Sequence, residues 1–196
     1  MTRADAYALL CEYVQDLSLR RHCMSVEAAM RCYARKLGQD EETWGVVGLL
    51  HDFDYERWPT APDHPLKGSE ILRERGYPEE VITAILSHAD YLADHYPRRT
   101  LLEKGLYACD EITGLVTATA ILRPTGIGDL TASSVKKKMK SKGFARGVNR
   151  DDVVRGAADF GVDLDVHIQF VIDAMKTIAP ELGLDRGAAT STESSE

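Results

Sequence analysis

Six side chains in this sequence are of the types that hold divalent metal ions, and they recur at wide intervals: His22, the adjacent pair His51-Asp52, His64, His88 and Asp110. The pair closes an apolar run, Trp44-Gly45-Val46-Val47-Gly48-Leu49-Leu50. Burying a charged pair behind such a run is costly unless something compensates it, and a divalent cation is the natural compensator. Imidazoles and carboxylates suit Mn, Fe, Zn, Co or Mg. Ions held this way activate water and polarise a substrate oxygen. A single histidine on an apolar face is more often a hydrogen-bonded core residue, so the combination carries the reading.

The elements that must position these residues are helical. Tyr7, Leu10, Cys11, Val14 and Leu17 recur at helical spacing. Ser25 is placed to cap a second helix that stops at Gly38, and Asp40 a third that runs to the His51-Asp52 pair. His64 precedes Pro65, which favours a helix start and predicts a fourth helix ending near Gly76. Pro78 opens a fifth, on whose apolar face His88 falls three residues after Ile85. Thr100 and Glu103 match a capping box for a long sixth helix that carries Asp110 and ends before Pro124. Beyond a loop at 125–129, Ser134, Asn149 and Asp163 are placed to cap three more. Ligands spread one or two per helix are how helical bundles build metal sites. The expectation is an all-α single domain over 1–183: a metal-binding core at about 20–115, a helical extension at about 125–183, and a disordered tail at 184–196.

Bulk composition narrows the function classes. The chain has 196 residues, 44% hydrophobic and 28% charged, ordinary for one soluble globular domain. No apolar stretch is long enough for a membrane span, and the N-terminus lacks a secretory signal, so a cytoplasmic protein is expected. Cys11, Cys23, Cys32 and Cys109 form no Cys-x-x-Cys pair and are expected to be reduced. A net charge of -7 argues against binding nucleic acid polymers or anionic membranes. Residues 131–150, however, hold seven basic side chains and no acidic one.

The pattern resembles the HD superfamily of metal-dependent phosphohydrolases. The matching stretches are Arg21-His22-Cys23, Leu49-Leu50-His51-Asp52, His64-Pro65-Leu66-Lys67-Gly68, Ser87-His88-Ala89-Asp90 and Ala108-Cys109-Asp110-Glu111. Asp110-Glu111-Ile112-Thr113-Gly114-Leu115, Arg123-Pro124 and Ser133 to Lys138 also resemble a group of bacterial HD hydrolases. The resemblance implies one metal on His22, His51, Asp52 and Asp110. It further implies a second on His64 and His88 with Asp52 bridging, so that Asp52, His64 and His88 carry the catalysis. The chain departs from the common form after the doublet, where Asp54 stands in place of a glycine. Asp54 and Glu56 are expected to be solvated loop charges, with Asp54 as a partner for a ligating histidine the alternative.

The implied activity is hydrolysis of a phosphomonoester, nucleotide or related phosphate ester by water activated on one or two divalent ions. Lys67, Arg57, Arg123, Ser133, Ser134 and Lys136 are the candidates for binding the phosphorylated small molecule, the serines through amides at a helix start. Two other readings stand: an HD-type di-iron oxygenase that cleaves a C–C or C–P bond, and a non-catalytic nucleotide sensor. His95 is expected to be exposed, His167 a packing or surface residue, Trp44 core, and Trp58 a wall near the site.

Overall fold

The computed structural model describes residues 2–141 and 143–186. Among them are ten α-helices and no strand, as the helical periodicity predicts. A capping box between Thr2 and Asp5 starts α1 (Arg3–Tyr13). Asp16, not Ser25, caps α2 (Leu17–Leu37), which ends on Gly38 in the left-handed region. Ser25 lies inside that helix, and its hydroxyl donates to the Arg21 carbonyl one turn back. The correction matters, because His22 is thereby fixed on a helix rather than on the connection before it. Leu17 is exposed and belongs to α2, not to the stripe of the first helix.

Asp40 caps α3 (Glu41–Leu50), whose residues from Trp44 to Leu50 are all buried. Two glycines on this helix let it lie against α2. A Cβ on Gly48 would stand 2.9 Å from the Glu27 amide nitrogen and 3.0 Å from its Cα. α4 (Asp63–Glu74) takes regular helical geometry only after Pro65, and α5 (Glu79–Ser87) follows Pro78. The Thr100–Glu103 capping box opens α6 (Leu101–Ile121). This helix runs through the middle of the molecule and packs on α2, α3 and α5.

The extension adds α7 (Ala132–Met139), α8 (Arg150–Asp159), α9 (Leu164–Lys176) and α10 (Ala179–Leu182). Asn149 and Asp163 cap α8 and α9 as expected. Thr131 rather than Ser134 caps α7, because its hydroxyl accepts the Ser134 amide. α7, α8 and α9 pack on α6, and α9 and α10 on α2, so the extension shares one core with the first six helices. The chain stays packed past 183: Leu184 is buried, its carbonyl accepts from the Ile127 amide, and Asp185 pairs with Gly126 in an isolated β-bridge. The expected disordered tail therefore does not begin at 184, and its remainder, 187–196, lies outside the described residues. No helix among the described residues is long and apolar enough to cross a membrane.

Candidate metal centre

Five helices deliver the six predicted ligands to one point. His22 projects from the second turn of α2, and His51 is the residue that ends α3, with Asp52 next in the chain. His64 precedes the regular part of α4, His88 ends α5, and Asp110 lies midway along α6. The apolar length of α3 explains the depth: a helix buried along its whole face carries its C-terminal residue into the interior.

Five of the six side chains form two groups that share Asp52, and Asp110 stands against the histidines of the first. In the first, His22 Nε2 is 3.1 Å from Asp110 Oδ1, 3.2 Å from His51 Nε2 and 3.7 Å from Asp52 Oδ2. His51 Nε2 lies 3.4 Å from both Asp110 Oδ1 and Asp52 Oδ2. In the second, His64 Nε2 and His88 Nε2 are 3.3 and 3.5 Å from the other oxygen of Asp52, Oδ1. Donors bound at about 2.1 Å to one ion sit about 3.0–3.4 Å from their neighbours. Five of the seven separations lie within that range and those of His88 and His22 to Asp52 exceed it by 0.1 and 0.3 Å, while each Asp52 oxygen faces a different group.

The donor chemistry fits a cation at both places. Every ligating imidazole has an acceptor at Nδ1: the Gly48 carbonyl for His51 at 2.8 Å, the Ile85 carbonyl for His88, Asp54 Oδ1 for His64 at 2.8 Å, and the Thr113 hydroxyl for His22 at 3.4 Å. With the ring proton committed there, each Nε2 presents a lone pair. Lone pairs then face carboxylate oxygens and one another, an arrangement that positive charge must stabilise.

The electrostatics without metal agree. Burial pushes His51 towards neutrality, yet Asp52 and Asp110 outweigh it and hold its pKa well above the usual histidine range. Burial likewise opposes ionisation of Asp52 and Asp110, and the neighbouring imidazoles, His51 foremost, hold both carboxylates below their ordinary values. His64, against the same burial, is raised to about 9 by hydrogen bonds to Asp52 and Asp54. Protons on these rings occupy the place of metal charge.

Asp54 corrects the expectation of a solvated loop charge. It is fully buried, accepting from His64 Nδ1 and, at 2.9 Å, from the Gly68 amide. Glu56 is exposed, as expected. Sequence reasoning did not single out Thr113, behind His22, or Glu111. The Glu111 carboxyl accepts the Asn149 amide and is raised to about 7 by burial and the charge of Asp110. Tyr55, 5.0 Å edge-on from His64, takes the wall position expected of Trp58, which instead packs on Tyr13. His95 is exposed, Trp44 is buried, and His167 is a buried packing residue.

In the structure the charged residues predicted to bind phosphate have other partners. Lys67 pairs with Glu70, and Arg57 lies over the Tyr13 ring and donates to the Glu12 carbonyl. Arg123 is held by Asp129, and Lys136 by Asp165. Ser133 and Ser134 stand in the first turn of α7, which meets α6. Arg123 follows Asp110 by about 13 residues of mostly helical chain, roughly 20 Å at 1.5 Å per residue. Chain distance hides this in the sequence, where a basic run looks available to any phosphate.

Residues 19–114 match the family model described as HD domain, a span containing all six converging side chains. No curated protein and no solved structure matches the chain. The matched segment runs from the first turn of α2 into α6 and contains both groups of side chains, so residues 19–114 of this chain are an HD domain.

Proposed function

We propose that the protein is a metal-dependent phosphohydrolase acting on a phosphomonoester, nucleotide or related phosphate ester at a two-ion centre. The observation that carries this reading is the division of Asp52, whose Oδ2 faces His22 and His51 while Oδ1 faces His64 and His88. His22, His51, Asp52 and Asp110 would hold one ion, and Asp52, His64 and His88 the other. Three protein donors leave positions open on the second ion, and four leave positions open on the first when the metal is six-coordinate, as at a catalytic rather than a structural site. Divalent ions there supply Lewis acidity towards phosphoryl oxygen and lower the pKa of water to about 7.

The chain's own contribution is orientation and access. The Nδ1 acceptors fix each ring, as partners behind metal-ligating histidines do. The His22, Asp52 and Asp110 side chains are 23%, 16% and 19% exposed, against 0% for His51, 10% for His64 and 7% for His88. A substrate therefore approaches past His22 and the two carboxylates. Burial pushes the Cys23 thiol, next to His22, up to about 12, so it stays protonated and is no nucleophile. A small phosphorylated molecule, rather than a nucleic acid polymer, suits an acidic chain of net charge -7. The four free thiols fit a reducing cytoplasm.

Metal analysis of the purified protein, followed by a phosphate-release screen over nucleotides and sugar phosphates with Mn, Mg, Co and Fe, tests the proposal. Two ions per chain are expected, about half as many in His64→Ala, and neither ion nor turnover in Asp52→Ala at unchanged helical content. Substrate-dependent O2 consumption by the iron-loaded protein without phosphate release would replace hydrolysis with oxygenase chemistry. Tight nucleotide binding without turnover under every metal would make the protein a sensor.

A further inference from the structure

His22, alone of the six predicted ligands, lines a cavity of about 490 Å³ between α2, α6 and the C-terminal turn. From His22 and Gly114 it follows the groove between the two helices to Ile121, where Leu182, Gly183 and Leu184 close it. Its size is that of a small-molecule pocket. The extension thus builds the far wall of a space whose near wall is a predicted metal ligand.

Arg21 lines this cavity beside His22. Its Nε is buried without a hydrogen-bond partner, and no hydrogen bond or ion pair of its guanidinium occurs among the described residues. Arg31 and Arg150, which also have one orphaned nitrogen each, are held by Glu27 and Glu42 and by backbone carbonyls of 144–148. A partly buried guanidinium with no acceptor calls for one. The C-terminal turn is fitted to it: Gly183 has φ +68°, and a Cβ there would lie 2.8 Å from Arg21 Nη2. Arg186, exposed, adds a second cation to the lining.

The rest of the lining limits the ligand. Ala118, Ile121, Leu182 and Leu184 give it an aliphatic wall, and no carboxylate and no Phe, Tyr or Trp ring is among the described lining residues. A nucleobase would find no Phe, Tyr or Trp face to stack on, and a sugar no carboxylate, only the hydroxyls of Ser18, Ser25 and Thr117. A second anion would find Arg21. Resting on the phosphohydrolase reading, we infer that this cavity takes the leaving group of the substrate, and that Arg21 selects a phosphate ester whose short aliphatic body carries a second anionic group.

A matched pair of non-hydrolysable phosphonates separates this inference from the reading beneath it. Calorimetric titration of the full-length, Mn-loaded protein with 4-phosphonobutyrate and with butylphosphonate compares ligands that differ by one carboxylate. The carboxylate compound should bind about tenfold to a hundredfold more tightly, the effect of one charge-assisted contact. Arg21→Ala should remove that preference while changing butylphosphonate affinity less than about twofold, and Arg21→Lys should restore part of it. Because the Ser25 hydroxyl bonds the backbone carbonyl of Arg21, not its side chain, both variants keep that contact, and an unchanged melting curve checks their folding. Equal binding of the two phosphonates, binding of neither, or a preference that survives Arg21→Ala overturns the inference. An Arg21-dependent preference in a protein that hydrolyses no phosphate ester would leave the cavity assignment standing and remove the phosphohydrolase.

Discussion

Asp54 shows how one carboxylate sets a metal ligand without touching the ion position. Fully buried, it bonds His64 Nδ1 and the Gly68 amide, so it both orients the ring and docks the start of α4. Losing such a partner typically costs 10- to 100-fold in metal affinity, as an order of magnitude. Asp54→Asn keeps the size but loses the charge, so the ion on the His64 side should weaken by about that factor. The ion on the His22 side should be nearly unaffected. Stepwise metal titration checks this, and two unchanged binding steps would show Asp54 to be merely structural. The six converging side chains were legible in the sequence because their types are rare at such spacing and each marks a helix end or inward face. Asp54 was not, because its partner lies ten residues on, across a loop, and the run Asp54-Tyr55-Glu56-Arg57 looks solvated from its neighbours alone.

The helices were legible where a polar cap and an apolar stripe agree, as at Asp40, Thr100, Asn149 and Asp163. They were misjudged at Ser25 and Ser134. A serine hydroxyl can bond back to the preceding turn as well as cap, and Asp16 and Thr131 upstream offered better starts. The contact between α2 and α3 is invisible to any local signal, because it depends on what Gly48 lacks. Gly48→Ala ought to help α3 by about 1 kcal/mol on helix propensity. The added methyl would meet Glu27 N at 2.9 Å and Cα at 3.0 Å, and backbone cannot rotate away as a side chain can. Overpacking of this kind costs about 1–3 kcal/mol. The variant should therefore be destabilised, and displacing α3 should also shift His51, whose Nδ1 is bonded to the Gly48 carbonyl. Urea unfolding reads the first effect and metal stoichiometry the second; a stabilised Gly48→Ala protein would mean that the helices separate without cost.

Across the whole molecule, His167 joins the extension to the helices that carry ligands. Its Nδ1 accepts from the Tyr33 hydroxyl of α2 at 2.6 Å, and its Nε2–H donates to the Ala108 carbonyl of α6 at 2.8 Å. Both bonds use the neutral ring, and burial, only partly offset by the Ala108 carbonyl, lowers its pKa below the usual 6.5. In the unfolded chain the same ring takes a proton near pH 6.5. The stability it contributes is therefore complete above that pH and is lost as pH falls towards the folded-state value, at up to about 1.4 kcal/mol per pH unit. His51 and His64 shift in the opposite direction, so the wild-type profile alone mixes signs. Comparison with His167→Gln isolates the term, since both proteins share the metal-site histidines. Between pH 7.5 and 5.5 the wild type should lose more unfolding free energy than the variant, by at most about 1.4 kcal/mol, although the variant is the less stable at pH 7.5. Parallel urea-denaturation profiles would mean that the ring takes its proton equally readily in the fold and in the unfolded chain, and a wild type that gains on the variant as pH falls would mean that the ring is protonated in the fold and that its two hydrogen bonds are not those of a neutral imidazole.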